Sequence, residues 1–244
     1  MTLENIKLDV DYARSKFPAF KDELSKDWIF CENAGGSYVP ENVINRLNKF
    51  MTSTKVQPYA EYAMSKIAGE NMDKATKLFA DIINAKENEI LVGGSTSINL
   101  YVLSNALKKF INPGDEIIVT ELEHHSNYVP WHYLREKKGA VIKFASVNDN
   151  GEVDKNEFKK QISDKTKMIA FTHISNVTGT IMPVKEIIDL AKTKNIPVLI
   201  DGTQGAPHSE IDMQKIAKHF GIKNNGQKGV PHVPCFTARV MQHT

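Results

Sequence analysis

Downstream of residue 90 the chain alternates short apolar runs with helix-length amphipathic stretches, and that rhythm admits few folds. A strand followed by a crossover helix pairs in parallel with the next strand, so repeated units of this kind build a parallel sheet covered on both faces. The runs at 90–92, 116–120, 141–145, 167–172 and 197–201 are rich in Ile, Val and Phe, as doubly covered strands should be. Between them, 97–110 carries Ile98, Val102, Leu103, Ala106, Leu107 and Phe110 at helical spacing, and 184–192 puts Ile187, Ile188 and Ala191 on one face. Upstream, 42–51 and 62–83 read as helices leading into the sheet. Residues 221–244 lose the periodicity and keep one short strand-like run near 236–240. The expectation is an α/β fold with a mostly parallel sheet flanked by helices, incomplete at its C-terminal end.

Charge narrows the function classes. The 31 basic residues nearly balance the 29 acidic ones, and no block of like charges suggests a nucleic-acid arm or a membrane-surface patch. The first twenty residues intersperse Glu4, Lys7, Asp9, Asp11, Arg14 and Lys16 with apolar positions, unlike a signal peptide, and no segment has the apolar length of a membrane span. Two cysteines far apart, Cys31 and Cys235, make a disulfide framework improbable, so a cytoplasmic location is expected.

Four segments carry the chemistry, each at the C-terminal end of an expected strand, where open α/β sheets collect ligands. In V-L-I-D-G-T-Q-G-A-P-H (198–208), Asp201 ends a buried strand. A buried carboxylate needs a partner, and a protonated pyridine nitrogen would serve; the alternative is an Asp that only caps a turn. In T-E-L-E-H-H-S-N-Y-V-P-W (120–131), His124 can stack on a flat cofactor with His125 as neighbour. Adjacent histidines without further ligands are a poor metal site, and none is expected. In T-H-I-S-N-V-T-G-T (172–180), the Asn176 amide can donate to a phenolate-like oxygen. V-G-G-S-T-S (92–97) is a Gly-rich turn opening a helix, which makes Ser95 and Thr96 candidates for holding a phosphate or, more simply, for capping the helix.

Taken together, C-E-N-A-G-G-S (31–37), G-S-T-S-I-N-L (94–100), P-G-D-E-I-I-V-T-E-L-E-H-H-S-N-Y-V-P-W (113–131), S-N-V-T-G-T (175–180) and D-G-T-Q-G-A-P-H (201–208) resemble the class V aminotransferases and cysteine desulfurases, which are fold-type I pyridoxal-phosphate enzymes. The resemblance covers roughly 27–216 and is strongest to the desulfurase-like subgroup. It divides the chain into an N-terminal segment (1–26), a partial cofactor-binding large domain (27–217) and an atypical tail (218–244). It implies pyridoxal 5'-phosphate as cofactor, an amino acid as substrate and a homodimer in the intact family. It further implies that Ser95 and Thr96 hold the phosphate, that His124 stacks on the ring, and that Asn176 and Gln204 meet the ring hydroxyl. Asp201 would pair with the ring nitrogen, and Asn33, Ala34, Gly35 and Gly36 would lie against the substrate.

The sequence departs from the family where the cofactor's lysine belongs. In place of an S-x-H-K segment the chain reads N-N-G-Q-K, with Lys228 within one position of the expected lysine, Gln227 where His is expected and no Ser before it. The small domain with its substrate-carboxylate Arg and the R-x-G-x-H-C nucleophile loop have no counterpart, so a truncation or an alteration after about residue 217 is expected. Two readings follow: an amino-acid-processing enzyme of desulfurase or aminotransferase type, or a catalytically inactive remnant that keeps part of the site. A doubly wound nucleotide-binding protein is the third, and it lacks both G-x-G-x-x-G and a Walker lysine motif.

Overall fold

The computed structural model describes residues 8–219 and 235–237. In chain order the elements are α1 (Val10–Ser15), α2 (Glu41–Lys49), α3 (Ala63–Ile82), α4 (Thr96–Leu107), β1 (Glu116–Thr120), α5 (Val129–Lys138), β2 (Val141–Ala145), α6 (Lys155–Gln161), β3 (Thr166–Thr172), α7 (Val184–Thr193), β4 (Val198–Asp201), α8 (Gly205–His208), α9 (Met213–His219) and β5 (Cys235–Thr237). The chain divides into two compact units within α3, between Ala75 and Thr76.

The first unit is helical and sparsely packed. Its best-buried polar group is Ser65, whose hydroxyl accepts from Ala60 N and donates to Gln57 O, pinning the turn before α3. Rings cluster around Tyr38, stacked on Phe30 at 4.4 Å and edge-on to Phe20 at 5.4 Å.

The second unit holds the sheet, ordered β2-β1-β3-β4-β5 with every pairing parallel. Period-two alternation sends successive side chains to opposite faces. Ile117, Val119, Met168, Ala170 and Leu199 face one core with Leu100 of α4 and Trp131 and Leu134 of α5. Ile118, Ile169, Phe171, Val198 and Ile200 face the other with Phe158 of α6 and Ile187, Ile188 and Ala191 of α7. Strands β1, β3 and β4 are therefore covered on both sides, as their unbroken apolar runs require. β2 is an edge strand and leaves Val141 and Phe144 partly in solvent.

The expected strand at 90–92 does not form. Leu91 and Val92 are 78% and 60% exposed, and among the described residues no neighbour offers them a ladder. Apolar residues alone do not make a strand, because its backbone groups must pair. The run expected near 236–240 lies instead at Cys235–Thr237, where it extends the sheet beside β4 in parallel register. The helix expected over 97–110 is α4 followed by a tighter turn at Lys108–Phe110, and that over 42–51 is α2 followed by a wider turn at Phe50–Thr54.

Gly139 closes α5 in the left-handed region (φ 70°), accepts from Gly114 N through its carbonyl, and would place a Cβ 3.3 Å from Pro113 Cβ. Gly139→Ala is expected to lower unfolding stability by about 1–2 kcal/mol, readable in a urea titration.

Candidate functional site

From β1 the chain steps outward to β2 and then returns to the other side of β1 as β3, so the sheet has its switch point between β1 and β3. Crevices open at the C-terminal ends of strands at such a point. The β1–β3 register runs from Glu116↔Thr166 to Ile118↔Ile169, whereas β3 continues to Thr172 alongside β4. Beyond Ile118 the ladder between the two strands leaves a gap.

Glu123 spans this gap. Its Oε1 accepts from Thr120 Oγ1 at the end of β1 (2.5 Å) and from Thr172 N at the end of β3 (3.0 Å), while Oε2 accepts from Asn127 Nδ2 (2.6 Å). Asn127 passes the chain on by accepting from the indole N–H of the fully buried Trp131 (3.2 Å). Burial raises the Glu123 carboxyl to about 7, against the three donors that favour its ionised form and with help from the nearby Asp201 charge. Sequence reasoning passed over Glu123 and Asn127. The available signal was an acid and an amide four residues apart, flanking the His pair.

His124 follows directly. It is exposed, and its Nδ1 accepts from Ser126 N (3.1 Å) and lies 2.7 Å from Ser126 Oγ, which fixes the ring at the start of the His125–Asn127 turn. Asp201 ends β4 and is 2% exposed. Both of its hydrogen bonds, from Thr203 N (3.0 Å) and Thr203 Oγ1 (2.6 Å), land on Oδ1, and among the described residues none reaches Oδ2. Burial pushes its pKa upward, while the Thr203 bonds and the electrostatic influence of His124 pull it back. His124 and Asp201, expected from sequence to share a site, are thus in electrostatic reach of one another.

Asn176 rides on a closed loop after β3, held by Ser175 N to Thr180 O, Gly179 N to Ser175 O and a bridge between Ile174 and Ile181. Asn176 and Gln204, the residue before α8, are both half-buried, and their side chains make no hydrogen bonds among the described residues. Ser95 caps α4, its Oγ accepting from Ile98 N (3.2 Å), so the simple capping reading holds for it in this state. Thr96 differs: it is buried, and its Oγ1 has no partner among the described residues. The preceding turn is tight, since a Cβ on Gly93 would lie 1.8 Å from Asn99 Oδ1.

Asn33, Ala34 and Gly35 form an exposed turn in the N-terminal unit, closed by the half-buried Gly36, whose N–H donates to Glu32 O. The exposed Cys31 precedes it as a free thiol. Lys228 and Gln227 lie outside the described residues. Among the described residues no group of three or more metal-ligating side chains occurs, and no helix is long and apolar enough to cross a membrane.

Comparison with known proteins gives the family, for residues 29–232 match the family model described as aminotransferase class-V. The chain belongs to that family. The matched range runs past residue 217 and takes in Lys228. A probable cysteine desulfurase of Mycolicibacterium paratuberculosis is 34% identical over 93% of this chain, and a cysteine desulfurase of Synechococcus elongatus 33% over 86%. The chain spans 34% of the length of each of these relatives. Among solved structures, a cysteine desulfurase from Thermococcus onnurineus superposes with a TM-score of 0.77 at 28% identity, covering 87% of this chain and 52% of that one. One from Escherichia coli gives 0.74 at 25% identity, covering 53% of its length. The fold is thus that of the fold-type I enzymes, represented here by about half of such a chain.

Proposed function

We propose that this chain is the cofactor-binding part of a pyridoxal-phosphate enzyme that processes amino acids, of cysteine desulfurase type, with transamination as the next reaction to test. The observation that carries the reading is Asp201: a buried carboxylate at the sheet's C-terminal edge, with one oxygen committed to a turn, the other without a hydrogen bond among the described residues, and His124 within reach of its charge. The residues present fit the group, because Thr96 Oγ1 is a buried hydroxyl with no partner among the described residues, at the first turn of α4, where free backbone N–H groups favour an anion. When bound, pyridoxal phosphate supplies an electron sink for charge developing at the substrate's alpha carbon. Asp201 would keep its ring nitrogen protonated, His124 would cover a ring face, and Asn176 and Gln204 would bind its hydroxyl. Ser95 and Thr96 would hold the phosphate. Lys228 is the candidate for covalent attachment and for moving the proton at the alpha carbon. The loop Asn33 to Gly36 is assigned to the substrate side.

Homodimer formation is part of the same reading. Ile98, Tyr101 and Val102 make an exposed apolar stripe on α4, which supports burial against another surface.

The reading of N-N-G-Q-K in place of S-x-H-K favours a second possibility, a remnant that recognises the cofactor without attaching it. Loss of the Ser and His contacts is expected to weaken pyridoxal phosphate binding by about a hundredfold relative to a family member that has both. Titration with the cofactor, borohydride reduction and peptide mapping test this. Stoichiometric label on Lys228 supports the enzyme; reversible binding without label leaves the remnant; no binding at all defeats both.

A further inference from the structure

We propose that Glu123 is a positioning residue for His124: its carboxyl clasps the ends of β1 and β3 beyond their ladder, and so holds the histidine ring where it meets the cofactor. The inference rests on reading these strand ends as the pyridoxal phosphate site. Glu123 is not itself assigned a contact with cofactor or substrate.

The argument begins with an unpaired backbone group. The β1–β3 register stops at Ile118↔Ile169, so Thr172 N, three residues further along β3, has no β1 carbonyl opposite it. A buried N–H left without an acceptor is destabilising, and Glu123 Oε1 supplies one at 3.0 Å. The same oxygen binds Thr120 Oγ1, so one atom ties together the two ends that form the switch point. The other carboxyl oxygen binds Asn127, and Asn127 binds Trp131 in the core beneath α5. His124 lies between Glu123 and Asn127 in sequence. Its backbone is therefore fixed on both sides by one part-buried network, whereas its own ring is exposed and its hydrogen bonds among the described residues run to Ser126. An exposed ring of this kind has a defined position only if the chain beneath it does.

Glu123→Gln keeps the shape of the side chain but turns one acceptor oxygen into an NH2 donor, so one of the three donors around the carboxyl is left facing another donor. The probe is deoxypyridoxine phosphate, which has the cofactor's ring and phosphate but no aldehyde, so binding is independent of any lysine. Dissociation constants are measured for the wild type, Glu123→Gln, His124→Ala and the double variant.

Glu123→Gln is expected to weaken the probe about fivefold to tenfold, and to add less than about twofold when His124 is already Ala. Equal losses in the two backgrounds would mean a general structural role and would overturn the proposal, as would an unchanged constant in the single variant. If Glu123→Gln does not fold, Thr120→Val, which removes one donor and leaves the carboxyl in place, is expected to show the same dependence on His124. Independence there overturns the proposal equally. Failure of the wild type to bind the probe would instead overturn the cofactor reading, and this inference with it.

Discussion

Asp201→Asn is expected to weaken the binding of pyridoxal phosphate by about a hundredfold or more, while leaving the fold intact or slightly more stable. The two halves of this expectation have separate causes. Asn offers an amide oxygen to Thr203 N and Thr203 Oγ1, so the turn after β4 keeps the hydrogen bonds that Oδ1 now accepts. It also removes a carboxylate whose burial already pushes its pKa up, which means that ionisation of Asp201 costs free energy in the protein without cofactor. Binding suffers because a buried charge facing a protonated ring nitrogen is replaced by a neutral group, and hydrogen bonds to charged groups contribute roughly 1.5–3 kcal/mol each. Leaving the ring's positive charge unpaired in the interior adds to that. Fluorescence titration with the cofactor, set beside urea denaturation of the same two proteins, separates binding from stability. An unchanged dissociation constant would remove Asp201 from the site.

The strands that present Asp201 and His124 were legible because their local and global demands coincide. Glu116–Thr120, Thr166–Thr172 and Val198–Asp201 are apolar on both faces, and the sheet covers both. The run at 90–92 looks equally strand-like, but being a strand depends on a neighbour, and no residue in the run encodes that neighbour. Cys235–Thr237 presents the opposite case: it sits in a stretch with little periodicity and becomes a strand because β4 has a free edge.

The candidate site shows the same divide. Asp201 could be read as a turn cap or as a ligand, and the geometry accommodates both because the cap uses only Oδ1. For Ser95 and Thr96 the sequence offered one shared role, whereas the structure separates a satisfied cap from a buried hydroxyl with no partner among the described residues. Glu123 could be seen only as an acid flanking the His pair, and for a physical reason. Its importance comes from Thr172 N, 49 residues away, and from the end of the β1–β3 ladder, neither of which leaves a mark in T-E-L-E-H-H.

The proton on Glu123 should also be measurable as stability. Burial holds its carboxyl at about 7 in the folded protein, against an ordinary 4.5. Between these values the native state binds more protons than the unfolded chain, so this group's contribution is fully present below about pH 4.5 and is lost as pH rises through 7. The shift corresponds to at most about 3.5 kcal/mol, since each pKa unit is about 1.4 kcal/mol. Thr120 Oγ1 suits both states, because a hydroxyl can donate to the carboxylate or accept from the acid. The total stability curve will not isolate the effect. Asp201 is raised in the same sense, while burial lowers the pKa of His132 and of His173, whose neutral forms lose stability as pH falls. The difference between the wild type and Glu123→Gln does isolate it, since the other groups remain in both proteins and the altered hydrogen bonding of the amide does not titrate. Urea denaturation of the two proteins between pH 4.5 and 8 is expected to show the wild type losing about 1–3 kcal/mol relative to the variant as pH rises, most steeply at about pH 5.5–6 and levelling above 7. A difference that stays constant across that range would show that Glu123 titrates at its ordinary value, and that the gap between β1 and β3 is open to water.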